Sequence, residues 1–191
     1  MIGRNMSNVN AAGNYPRPTP GGYVMVIETV NNITQKEQLE ICLEFTDGDL
    51  TGYCQQIKDR FNFWPARCSK SYKDKALPFF KAFIKAVQQS NADTTGLVIG
   101  DYEDIDETKL VGKRVGVVVG EREYDGNDGT RKKAIDWYNA SFVSADDIFN
   151  GNYEIPELRI TGTKATITEA VDVVDMSSNF IGPVSDDDVP F

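Results

Sequence analysis

Between Glu37 and Thr46 apolar and polar residues alternate without a break. Leu39, Ile41, Leu43 and Phe45 fall on one side, and Gln38, Glu40, Cys42 and Glu44 on the other. A period of two predicts a strand buried on one face, ended by Asp47-Gly48-Asp49. Before it, Tyr23–Val30 is β-branched and apolar, which predicts a first strand closed by a turn at Asn31-Asn32. After it, Tyr53, Cys54, Ile57 and Phe61 stand at helical spacing, so Thr51–Phe61 is expected to be a helix. A short third strand is expected across Trp64–Tyr72, where Pro65 restricts it to a sheet edge or a strand start. Leu77, Phe80, Phe83, Ile84 and Val87 then form one helical stripe, with Pro78 in its first turn and an end near Ser90-Asn91.

Lys109–Tyr124 and Thr130–Phe142 read as the arms of a long hairpin around Asp125-Gly126-Asn127-Asp128-Gly129. Asp93–Glu107 holds six acids and no base and is expected to be a loop, with a short strand at Leu97–Ile99. Ala145–Ile148 fits a short helix broken at Asn150-Gly151, and Thr161–Val174 a further strand without a clear partner. The order is three strands, a helix and two strands, mainly β with α. That is the arrangement of a five-stranded OB-fold barrel with a helix between strands 3 and 4. The expected organisation is an extended arm over residues 1–21, a domain over 22–158, a linker over 159–185 and a terminal tip over 186–191.

Charge sharpens this division. The formal net charge is −9. Residues 152–191 hold eight acids and two bases, leaving 21 acids and 18 bases in residues 1–151. A body so close to neutral does not exclude an anionic partner such as nucleic acid. Histidine is absent, which removes the commonest general base and metal ligand. Cys42, Cys54 and Cys68 have no zinc-ribbon spacing, and their odd number argues for reduced thiols in a cytosolic protein. The polar N-terminus predicts no signal peptide, and the aliphatic run near Val115–Val119 is too short to cross a membrane.

The bases cluster. Lys58–Lys85 holds eight bases against Asp59 and Asp74, with Phe61, Phe63, Trp64 and Tyr72 interleaved. Cations neutralise phosphates while rings stack on exposed bases, so Trp64, Arg67, Lys70, Tyr72, Lys73 and Lys75 are candidate contacts to a single strand. Phe61, Phe63 and Trp64 fit a core equally well, and Tyr72 is the better stacking candidate. The hairpin offers a second site. Val111, Val115, Val117 and Val119 lie on one side of its first arm, towards the expected interior. Gly112, Arg114, Gly116, Gly120, Arg122 and Tyr124 lie on the other, where missing side chains would let a nucleic acid approach. Lys113, Arg114, Arg122, Tyr124, Arg131, Lys132, Lys133 and Trp137 complete the candidates; an ordinary solvated hairpin with charged edges is the alternative. Asp125–Gly129 lacks the later ligands of a calcium loop, and Asp101, Glu103, Asp104, Asp106 and Glu107 fit a solvated acidic loop. No phosphate-binding loop or nucleophile elbow is present, so neither a metal nor another cofactor is expected.

The chain ends Asp186-Asp187-Asp188-Val189-Pro190-Phe191. A partner could take the Phe191 ring in an apolar pocket, hold the terminal carboxylate, and steer the three acids with a basic rim. This ending resembles the acidic tip of bacterial single-stranded DNA-binding proteins, with valine where isoleucine is usual. Phe63-Trp64-Pro65, Ser71–Lys81, Leu110–Lys113 and Gly120–Gly129 resemble phage and mobile-element single-stranded DNA-binding proteins of low-GC Gram-positive bacteria. The likeness covers roughly Gly22–Leu158 and the tip; the linker is not the Gly/Gln/Pro-rich one typical of the bacterial family. The resemblance implies an OB-fold that coats and protects single-stranded DNA without catalysis. It also implies a tip that recruits replication, recombination and repair enzymes, and a place in the bacterial cytoplasm, on nucleoid or phage DNA. Homo-oligomerisation is left open. The competing expectation is a recombination mediator or anti-host module whose acidic loop and tail bind a protein; RNA binding is a variant of the first.

Overall fold

The computed structural model describes residues 16–97, 105–126 and 129–161. Residues 1–15 of the arm, the expected strand at Leu97–Ile99 past Leu97, Asn127 and Asp128, the expected strand past Thr161, most of the linker and the whole tip lie outside the described residues.

Mainly β structure with helices organises the described chain. Five antiparallel strands form one strongly curled sheet, a half-barrel. They are β1 (Gly21–Ile33), β2 (Gln38–Phe45), β3 (Arg67–Ser71), β4 (Arg114–Val119) and a short strand at Ser141–Val143, in the order β3-β2-β1-β4-(141–143). β1 pairs with β4 through Gly21–Val26 and with β2 through Met25–Ile33. Glu28 is an extra residue in the β1–β2 ladder, and such a bulge bends and twists its strand.

The alternation in β2 holds: Leu39, Ile41, Leu43 and Phe45 are all buried. The turn expected at Asn31-Asn32 is not there. Both asparagines remain in β1, opposite Glu40 and Leu39, and the chain reverses in a 3-10 turn at Thr34–Lys36 with Glu37 at φ 50°. Tertiary partners override the local turn preference. Asn32 Oδ1 accepts from the Tyr72 hydroxyl at 2.9 Å, and its Nδ2 donates to Glu107 at 3.0 Å.

Two helices flank β3. α1 (Tyr53–Phe61) has Gly52 at its N-cap and so no capping side chain of its own. Glu44, buried in β2, supplies the cap: its carboxylate accepts from the backbone N–H groups of Cys54 at 3.0 Å and Gln55 at 2.7 Å. α2 (Leu77–Gln89) buries Phe80, Phe83, Ile84 and Val87, as its stripe predicts, while Leu77 is exposed. α2 packs against β3, β4 and the strand at 141–143, so it covers the open side of the curled sheet. The Phe83 ring meets Phe142 edge-on at 4.9 Å.

The long hairpin is broken in the middle. Past Gly120 its first arm leaves the main sheet and becomes β5 (Glu121–Asp125), which pairs with β6 (Arg131–Ile135) in a separate sheet. The returning arm rejoins the main sheet as β7 (Ser141–Val143), beside β4. The elbow is fixed by Asp136, whose N–H donates to Gly120 O at 3.1 Å. Val111, expected inside, is exposed because it precedes β4 in a turn.

α3 (Ala145–Asn150) is stopped and started by local chemistry: Ser144 and Asp147 form a reciprocal capping box and Gly151 closes the helix in the left-handed region. It lies on the outer face of β1 and β4. That placement corrects the expectation that Gly116 leaves room for a ligand, whereas Gly112, before β4, does meet open space. A Cβ on Gly116 would sit 2.5 Å from Ser144 O, and one on Gly22 2.6 Å from the Tyr153 ring. The missing side chains admit α3 and the strap behind it. Gly120 is met in the same way by Pro156 O, at 2.8 Å from a Cβ. The strap ends in β8 (Arg159–Ile160), parallel to β5, which carries the folded body past the expected boundary at Leu158.

Candidate nucleic-acid interface

Each candidate side chain can be judged by whether its charge or ring is still available. α1 ends where Asn62, at φ 57°, caps it in the left-handed conformation. Phe61, the last residue of α1, and Phe63, just past the reversal, both lie on the surface. Phe61 and Phe63 are 57% and 56% exposed, with ring centroids 6.5 Å apart. The Arg60 guanidinium lies 5.2 Å from the Phe61 ring centre, and Lys58 Nζ 5.4 Å from that of Trp64. Trp64 is half-buried and anchored, its indole N–H donating to Leu43 O at 2.8 Å.

β3 presents a different picture. Arg67 is exposed and 3.6 Å from Glu40. Tyr72 packs edge-on against Phe80 at 6.1 Å and is tied to Asn32, so its ring is engaged with the body. Lys70 crosses from β3 to the other edge of the curled sheet: its ammonium donates to Ala140 O at 3.3 Å and lies 4.3 Å from the Phe142 ring centre. Burial pushes its pKa down. Lys73 and Lys75 are exposed before α2, as are Lys81 and Lys85 on it, and none of the four forms an ion pair among the described residues.

Near β4, Lys113 Nζ donates to Asp93 O at 2.7 Å and Oδ2 at 3.1 Å, pinning the loop after α2. Hydrogen bonds from Thr95 and from Lys113 hold the Asp93 carboxyl down at about 2. Arg114 is exposed and pairs with Asp47 at 3.2 Å. Trp137 is half-buried, its ring edge-on to Phe45 at 5.9 Å.

The small sheet separates its charges by face. Side chains alternate along a strand, and Arg122 stands opposite Ala134 and Arg159, with Tyr124 opposite Lys132. Arg122, Tyr124, Lys132 and Arg159 therefore share one face; the strands themselves place no acid there, and Asp136, just past β6, is the acid that meets Arg159. Glu121, Glu123, Asp125, Arg131 and Lys133 share the other. There the cations are matched: Arg131 with Glu123 at 3.4 Å and Asp125 at 3.3 Å, Lys133 with Glu121 at 3.0 Å and Glu123 at 3.7 Å. Its hydrogen bond to Glu121 raises the Lys133 pKa.

No known family model matches the chain, and no curated protein is significantly similar to it.

On the Arg122 face the guanidinium lies 5.6 Å from the Tyr124 ring centre, and its buried Nε has no hydrogen-bond partner among the described residues. At the foot of this face Arg159 Nε donates to Asp136 Oδ2 at 3.0 Å, and Asn139 donates to the same oxygen at 2.8 Å. Asp136 is only 5% exposed, so this pair locks the strap to the elbow.

The structure thus gathers Arg122, Tyr124 and Lys132 on one face and places Arg131 and Lys133 on the opposite one. Lys70, Tyr72, Lys113 and Trp137 are engaged within the body. Arg159 was outside the predicted set because it follows Pro156, beyond the recognised elements. For Phe61 the sequence leaves core and surface equally open, because its helical spacing with Tyr53, Cys54 and Ile57 also suits a core. The available signal was Asn62, a residue that tolerates the left-handed cap and so marks a chain reversal.

Proposed function

We propose that this chain is a non-enzymatic single-stranded DNA-binding protein built on an OB-like half-barrel. The observation that carries the reading is the one-sided hairpin: Arg122, Tyr124 and Lys132 share a face on which β5 and β6 place no acid, while Arg159 beside them is matched by Asp136. A guanidinium over a tyrosine ring offers both a phosphate partner and a surface for a base. The three-strand meander, the helix between β3 and β4, and the return of β4 to β1 are compatible with an OB fold. In that fold such a hairpin is a usual oligonucleotide-contacting arm. The lysines at 73, 75, 81 and 85, exposed and without an ion pair among the described residues, add positive potential outside the hairpin.

Within this reading the protein coats and protects single strands without sequence preference, and Asp186–Phe191 docks replication, recombination or repair enzymes. The tip's role rests on its sequence chemistry alone. The test is titration of a fluorescent oligo(dT) with the full chain across a range of salt. Affinity is expected to fall with a log–log slope of about −0.7 per phosphate neutralised. Oligo(U) and duplex of equal length are expected to bind more weakly. No binding of oligo(dT) in low salt overturns the proposal.

A further inference from the structure

Phe61 and Phe63 are large apolar rings that the fold leaves in water. A phenylalanine belongs inside on energetic grounds: burying such a ring contributes roughly 1.5–3 kcal/mol. One exposed ring needs no explanation. Two, 6.5 Å apart, flanking a helix cap, with Arg60 over the Phe61 ring and Lys58 over the neighbouring Trp64, form an ordered feature. The segment is not a loose loop. Glu44 fixes the start of α1, and the Trp64–Leu43 hydrogen bond fixes the chain just after the rings. Both anchors lie in β2, so the rings are held on the curled sheet itself.

We infer that Phe61 and Phe63 form a platform on which unpaired bases stack, with Lys58 and Arg60 holding the adjoining phosphates. This rests on the single-strand reading above and adds a second contact region, on a different element from the hairpin. The occupant follows from the chemistry. Flat rings tilted 40° to one another offer two π faces rather than a closed groove, and bases are flat. Every base has a π face, so the platform is sequence-tolerant. The flanking residues are cationic, which suits a polyanion, and Asp59 is the single acid between Lys58 and Trp64.

The test uses the full chain with Phe61→Ala/Phe63→Ala and with Phe61→Leu/Phe63→Leu, which retains apolar volume but not the ring. Folding is checked by circular dichroism and the thermal midpoint. Both ligands are single strands of equal length, one oligo(dT) and one made of abasic sites. Oligo(dT) affinity is expected to fall about tenfold per ring lost. The salt slope should stay unchanged, because no charge is removed. The preference of wild type for oligo(dT) over the abasic strand is expected to shrink by the same factor in both variants, the remainder coming from Tyr124 on the hairpin. A folded variant that keeps wild-type oligo(dT) affinity overturns the platform alone. Equal loss on both strands overturns it too, since bases would then not be what the rings touch. Failure of the wild type to bind oligo(dT) overturns the platform together with the reading beneath it.

Discussion

The Lys70 ammonium lies 4.3 Å from the centre of the Phe142 ring, joining the two edges of the curled sheet. It also donates to Ala140 O, so one side chain supplies a link where the sheet has no ladder. Lys70→Ala removes a hydrogen bond and a cation–π contact and is expected to cost about 1–3 kcal/mol in urea unfolding. The ammonium is already engaged, so Lys70→Met is expected to leave the salt slope of oligonucleotide binding unchanged. A flatter slope would return Lys70 to the interface.

The hairpin faces predict an asymmetry. Replacing Arg122 with Gln is expected to weaken oligo(dT) binding and flatten the salt slope by about 0.7, one phosphate's worth. Replacing Lys133 with Gln removes a cation whose charge Glu121 and Glu123 already offset. Its slope should match wild type. Equal slope changes from the two variants would remove the distinction between the faces.

Asp136→Ala strips the partner from Arg159 and is expected to release the strap from the elbow. The direct observable is amide exchange at Thr161, whose N–H donates to Glu123 O at 2.9 Å. Exchange there should accelerate more than tenfold, while the buried β2 amides stay protected. Unchanged protection would mean that β8 is held without the ion pair.

Gly116→Ala tests why β4 carries a glycine. The new methyl would meet two backbone carbonyls, Ser144 O at 2.5 Å and Val143 O at 2.9 Å, neither of which can rotate away. A loss of about 1–3 kcal/mol is expected, seen as a lower thermal midpoint. A neutral substitution would show that α3 is free to move outward.

Alkaline pH probes two thiols. Burial pushes Cys68 up to about 12 and, with the Glu44 carboxylate nearby, pushes Cys54 up as well. The native state keeps protons that the unfolded chain loses near its ordinary thiol pKa of about 8.5. Stability from these thiols is therefore complete below that value and declines as pH rises from there towards 12. Replacing both with alanine should flatten the decline. At neutral pH iodoacetamide is expected to label Cys42, which is half-exposed, well before either buried thiol.

Much of the framework was legible along the chain. The period-two run of β2, the α2 stripe with Pro78, and the Ser144/Gly151 boundaries of α3 are set by contacts within a few residues, so sequence spacing determines them. Composition likewise marks Lys58–Lys85 as basic and residues 152–191 as acidic. Tertiary structure alone decided which of those charges remain available. Lys133 and Arg122 look equivalent in a list of bases. The β5–β6 register sets one against Glu121 and Glu123 and puts the other on the face these strands leave without acids. Register, the burial of Lys70, the exposure of Phe61 and Phe63, and the glycine notch filled by α3 all depend on residues distant in sequence. Coulomb pairing and packing act through space, and no local pattern encodes which distant neighbour arrives.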